Sequence, residues 1–113
     1  MITIKGLSDM AISYGVMAFK VRNTKEDIRT LAYQVSQITT DCVHQDIKIT
    51  DCIITFGGTK DILREVKKLK ERKAFDYLLI YSPKQFAGKE EEFYFFATSL
   101  KSECGVEIKY YKE

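Results

Sequence analysis

The chain predicts a three-layer α/β domain, a mostly parallel sheet of about four to five strands flanked by helices, and three observations carry that prediction. Strand-like and helix-like stretches alternate strictly from residue 16 to residue 110, the order that parallel strands joined by right-handed crossovers require. Phe75-Asp76-Tyr77-Leu78-Leu79-Ile80-Tyr81-Ser82 is a nearly continuous apolar run, as a strand covered on both faces shows. The 113 residues are 45% hydrophobic and 30% charged with one proline, which suits a single domain over 1–113 and leaves no room for two. A chain of this size buries roughly two-thirds of its unfolded surface, so its core needs no covalent staples.

Residues 1–11 precede the first strand, and Ile2-Thr3-Ile4 forms either an extra edge strand or a loose segment. Val16-Met17-Ala18-Phe19-Lys20-Val21 reads as the first strand and stops at Arg22-Asn23-Thr24. Thr24 is placed to cap a helix, with Asp27 beside its exposed amides. Ile28, Leu31, Ala32, Val35 and Ile38 then draw one apolar stripe, and Thr39-Thr40-Asp41 marks a break. Ile47-Lys48-Ile49 alternates and Cys52-Ile53-Ile54-Thr55-Phe56 is apolar and β-branched, which puts a second strand within 47–56. Gly57-Gly58 ends it, Thr59 is the expected N-cap, and Ile62, Leu63, Val66 and Leu69 face inward along a second helix to about Lys73. After the strand at 75–82, Glu90-Glu91-Glu92 suits a helix start, where exposed amides favour carboxylates. Phe93, Phe96, Ala97, Leu100 and Cys104 continue that helix, Gly105 terminates it, and Val106-Glu107-Ile108-Lys109-Tyr110 alternates as a last, half-exposed strand.

The composition excludes several classes. The formal charge of +2 gives no strong global pull toward nucleic acid. Cys42, Cys52 and Cys104 are an odd number without a CxxC pair, and the one histidine, His44, lies beside Cys42, so neither a closed zinc site nor any other metal or cofactor is expected. These thiols read as reduced and cytosolic, Cys52 and Cys104 as core residues, and His44 as a loop or surface residue. No apolar run approaches the ~18 residues of a membrane span, and the first five residues lack a signal-peptide layout. The expected location is the cytoplasm.

In a parallel sheet, chemistry sits in the loops at the carboxyl ends of the strands. The loop from Ser82 to Gly88 carries one lysine, one glutamine, no acid and no histidine, a poor kit for proton transfer or nucleophilic attack. Gly57-Gly58-Thr59 is either a phosphate cradle or a plain tight turn, and it lacks both GxGxxG and GxxxxGK[ST]. The basic run from Arg64 to Lys73 is either a solvated helix face or a phosphate-contacting one. Tyr94, Phe95, Tyr110 and Tyr111 fall off the inward stripes and point to packing or to an interface.

From Lys70 to Ser82, and again at Cys104-Gly105-Val106-Glu107-Ile108, the chain resembles the catalytic domain of serine recombinases of the resolvase and invertase type. Members of that family run basic helix, Phe-Asp-x-Leu-Leu-Val-Tyr, loop, helix, Gly-Val-x-Ile. The resemblance covers about residues 59–110, and less closely 14–38, where Phe19-Lys20-Val21-Arg22-Asn23-Thr24-Lys25-Glu26-Asp27 is similar to the family segment Tyr-x-Arg-x-Ser-Thr-x-Glu-Gln. It implies a resolvase-like fold and a place in DNA recombination or a mobile element, phage or transposon.

The departures fall on the working groups. The family's serine attacks a DNA phosphodiester while arginines stabilise the developing charge. Here Lys20 holds the arginine position, and Arg22, or Asn23 with a one-residue shift, holds the nucleophile position. The family's Asp-Arg-x-x-Arg falls on Lys84-Gln85-Phe86-Ala87-Gly88, so Lys84 replaces the acid and Gln85 and Gly88 the arginines. Lysine or glutamine cannot reproduce the bidentate guanidinium grip on phosphate. Thr24 is the one hydroxyl close to the lost nucleophile's place and serves better as a helix cap, while Ser13 falls too early in the strand. The resemblance therefore implies an inactive relative that pairs with itself or with another protein. The alternatives are an active strand-exchange domain and a small nucleotide- or phosphate-binding module, and the cations left for phosphate or DNA are Lys20, Arg22 and Lys84.

Overall fold

The computed structural model describes residues 12–21 and 25–112. It is a four-stranded, wholly parallel sheet in the order β2-β1-β3-β4, flanked by helices on both faces, as the alternating sequence predicts. The expected extra strand at Ile2-Thr3-Ile4 and the Thr24 cap lie outside the described residues.

Strand β1, Ser13–Lys20, is central, and its residues from Gly15 to Phe19 are all buried. It begins three residues earlier than the apolar run suggests because Ser13, Tyr14 and Gly15 pair with Ile47, Lys48 and Ile49. Gly15 belongs there sterically: a β-carbon on it would stand 2.6 Å from Leu79 Cδ1. Beside it the ladder shifts by one residue, so that β2 bulges at Thr50.

Helix α1, Lys25–His44, runs past the break expected at Thr39-Thr40-Asp41. Cys42, four residues beyond Ile38, extends the inward stripe and is buried with it, while Thr40 Oγ1 donates to the Ser36 carbonyl at 2.9 Å, so its hydroxyl is satisfied within the helix. His44 is an exposed last helical residue, and the turn closes at Asp46 with φ 56, a left-handed position that aspartate tolerates.

Strand β2, Ile47–Thr55, is an edge strand. Helix α2, Thr59–Lys70, takes Gly58, not Thr59, as its N-cap. Strand β3 is the short segment Tyr77–Ile80, although Asp76 before it and Tyr81 after it still bond across to neighbouring segments, Asp76 to Tyr14 and Glu107 and Tyr81 to Lys112. Helix α3, Glu90–Ser99, opens on Glu90, Glu91 and Glu92 and widens into a π turn over Leu100–Cys104. Gly105 ends it at φ 69 as expected, with the Val106 amide donating to the Leu100 carbonyl. Strand β4 is Glu107–Tyr110.

From β1 the chain crosses to β2 on one side and later returns to β3 on the other, so right-handed crossovers put α1 on one face and α2 and α3 on the opposite one. The two cores follow. Val16, Ala18, Leu78 and Ile80 pack under Ile62, Val66, Phe96 and Leu100; Met17, Phe19 and Leu79 pack under Ile38 and Cys42.

Candidate functional site

The place to look is the carboxyl end of the sheet between β1 and β3, where the strand order reverses. The β1–β3 ladder closes at Met17–Leu79, whereas β1–β2 continues to Lys20–Thr55. The two central strands therefore part, and the loop after β3 drops toward the opening. Pro83 starts a 3-10 turn over Pro83–Gln85, Ser82 Oγ accepts from the Lys84 amide at 3.3 Å, and the buried Phe86 and Ala87 anchor the far end.

This anchoring turns Gln85 inward and Lys84 outward. Gln85 Nε2 donates to Oε1 of Gln34 at 2.8 Å. Gln34 is only 8% exposed, although it lies on a helix, and Gln85 Oε1 is buried without a hydrogen-bond partner. Beside this neutral pair stand Tyr33, Tyr81 and Tyr111, with ring centres 6.5 Å and 5.7 Å apart in sequence, and Tyr111 donates its hydroxyl to Gln37 Oε1. The crevice is thus lined by amides and phenols.

Of the residues singled out from the sequence, Lys20 is half-buried at the end of β1, Lys84 is exposed and Gln85 is the inward amide just described. Gly88 is exposed, and a β-carbon on it would meet nothing within 4 Å, so no close approach demands glycine there. Arg22 and Asn23 lie outside the described residues. A cleft of about 500 Å³ opens next to the loop, lined by Pro83, Lys84, Gly88, Lys89, Phe93 and Tyr110. Its two ammonium groups can attract an anion, and Glu90 on its rim opposes one.

The glycine turn after β2 is closed to phosphate. The Gly57 amide donates to Thr55 Oγ1 at 3.0 Å, and the Asp61 carboxylate lies where a Gly57 β-carbon would project, so the helix start already faces a negative charge. The basic helix is largely neutralised as well. Arg64 pairs with Asp61 at 2.6 Å, Lys68 with Glu65 at 3.7 Å, Lys73 with Asp51 at 2.9 Å, and Lys67 with Glu103, whose carboxylate holds the Lys67 ammonium above the usual lysine range. Lys70 donates to the Phe75 carbonyl and sits over that ring.

Cysteine positions differ from expectation. Cys42 is the buried one, and burial, then the Asp41 charge, pushes its thiol up. Cys52 is exposed, because α1 covers Met17 and Leu79 rather than the outer half of β2. Cys104 is intermediate and packs against the α2–α3 core. Among the described residues no group of three or more His, Cys, Asp or Glu could hold a metal ion.

The sequence reading missed Gln34, the polar residue that closes the crevice. Its signal was its place on the inward stripe between Leu31 and Ile38. Asp76 was also missed: Oδ2 accepts from the Tyr14 amide at 2.9 Å, and its own amide donates to the Tyr14 carbonyl at 2.8 Å. It ties β3 to β1 at the end of the sheet remote from the crevice. Compared with family models, curated proteins and solved structures, the chain has no match.

Proposed function

We propose that this chain is a resolvase-like domain without strand-cleaving activity, which works by binding protein, itself or a partner, as an interaction or regulatory component of a DNA recombination or mobile-element system. The observation that carries the loss of cleavage is the Gln34–Gln85 pair: a neutral amide contact joins α1 to the loop after β3, where phosphoryl transfer needs a cationic clamp and an activated oxygen. Ser82, the hydroxyl at that crevice, is engaged with its own loop amide, and His44 lies at the opposite end of α1. The recombination context rests on the resemblance over residues 59–110. Free thiols at all three cysteines and the lack, among the described residues, of a helix long and apolar enough to cross a membrane support a cytoplasmic place.

The test is incubation of the purified chain with supercoiled DNA, followed by denaturing gels for protein–DNA adducts and by topoisomer analysis. Neither adduct nor relaxation is expected, and either one overturns the reading. The phosphate-module alternative draws on Lys84 and Lys89 at the cleft. A melting shift with inorganic phosphate or nucleotides that Lys84→Ala abolishes would establish it instead.

A further inference from the structure

Among the described residues nothing pairs with the outer edge of strand β2, and the chain is uncharged from Cys52 to Phe56, one residue past the strand's end. Thr55 aims its carbonyl at the Val21 amide. Parallel strands alternate the direction of their backbone groups, so Cys52 and Ile54 aim both N–H and C=O away from β1, into the open edge. Their side chains lie on the α1 side of the sheet, level with Met17 and Phe19, yet Ile54 is 54% and Phe56 68% exposed. Such an edge is a template for another strand.

We infer that the β2 edge pairs antiparallel with the β2 edge of a second copy about a two-fold axis at Ile54. This register sets Ile54 against its own counterpart as a hydrogen-bonded pair and brings Cys52 opposite Phe56, the residue just past the strand's end. It joins the exposed apolar strips of the two copies and opposes no like charges, since Asp51 then faces Gly57. The bulge at Thr50 and the exposed Lys48 guard the first half of the strand and leave the pairing to 52–56. Charge selects the occupant. On the α2 side the edge groove of about 410 Å³ is lined by Arg64, Lys68 and Arg72 and by Asp51, Asp61 and Glu65. Equal numbers of both signs suit an inverted copy of the same groove rather than a polyanion or a basic segment. A two-fold contact of this kind is self-complementary by construction.

The inference deepens the interaction reading above and fails separately from it, since DNA adducts would overturn that reading without touching the pairing. Light scattering with reductant present should give twice the 13.1 kDa chain mass, and Ile54→Lys and Phe56→Lys, each checked for native circular dichroism, should return the single-chain mass. With Cys52→Ala as background, Ile54→Cys should be joined into a covalent dimer by a short bifunctional thiol cross-linker, because hydrogen-bonded antiparallel pairs have Cα atoms about 5.5 Å apart. Val43→Cys, exposed elsewhere on α1, should not. A single-chain mass for the native protein, or a dimer that survives both lysine substitutions, overturns the inference. Slow amide exchange at Cys52 and Ile54 in a monomer would overturn it as well, since the edge would then be covered without a second copy.

Discussion

Asp76→Ala separates a structural from a chemical role for the aspartate in the stretch that resembles a recombinase. The side chain makes one contact of consequence, Oδ2 to the Tyr14 amide at 2.9 Å, while the backbone bonds Asp76 N–H to Tyr14 C=O and Glu107 N–H to Asp76 C=O do not need it. A hydrogen bond to a charged group contributes about 1.5–3 kcal/mol where water is excluded. Asp76 and Tyr14 are both exposed, so water can replace the lost acceptor, and about 1 kcal/mol is the reasoned cost. With a urea slope near 1.3 kcal/mol/M, the unfolding midpoint should fall by about 0.8 M. Asp76→Asn keeps a neutral acceptor and should lose about half as much. Hydrogen exchange should quicken first at Tyr14 and Gly15, where the pin holds β1. A midpoint unchanged within error in Asp76→Ala would refute the pin, and an equal loss in both variants would show that charge, not the bond, matters.

Three further outcomes follow from the same contacts. The Lys73 hydrogen bond holds the Asp51 carboxyl below its usual range; a depressed folded value stabilises above the unfolded pKa of about 3.9 and is lost as pH falls through the folded one. The advantage of the native chain over Asp51→Asn in urea midpoint should therefore hold at pH 7 and disappear in the acid range, and parallel profiles would contradict the pair. Desolvation raises all three thiols, so accessibility sets the order: a maleimide should label the exposed Cys52 first, Cys104 more slowly and the buried Cys42 only on unfolding; early labelling at Cys42 would contradict the α1 packing. Gly105→Ala should cost about 1 kcal/mol at its φ of 69, measured by thermal or urea unfolding, because a β-carbon is strained there.

The fold was legible because each buried strand and helix stripe carries its own period. Leu78, Leu79 and Ile80 are apolar on both faces, and Ile62, Val66 and Leu69 repeat at helical spacing. Helix ends were less so. Thr39 and Thr40 have the composition of a break, but the burial of Cys42, a tertiary gain four residues from Ile38, carries α1 onward. Thr59 could cap, yet the chain reaches the helix through an extended Gly58. Cys52 misled for a related reason: β-branched, apolar residues read as buried, while the side of β2 they face depends on where α1 leans, which no local pattern states.

The candidate site shows the same division between local and non-local information. That Lys84, Gln85 and Gly88 are the wrong residues for gripping phosphate was readable one residue at a time. The amide contact itself was not, because Gln34 and Gln85 are 51 positions apart and meet only through the fold. The pair also sets the cost of putting a cation at this position. Gln85→Arg alone would place a guanidinium against the 8% exposed Gln34, and a part-buried cation lacking an anion is costly. Among the described residues, the Gln34–Gln85 contact makes part of the carboxyl end of the sheet a packing seam between α1 and the β3 loop, beside the cleft that Lys84 and Lys89 line.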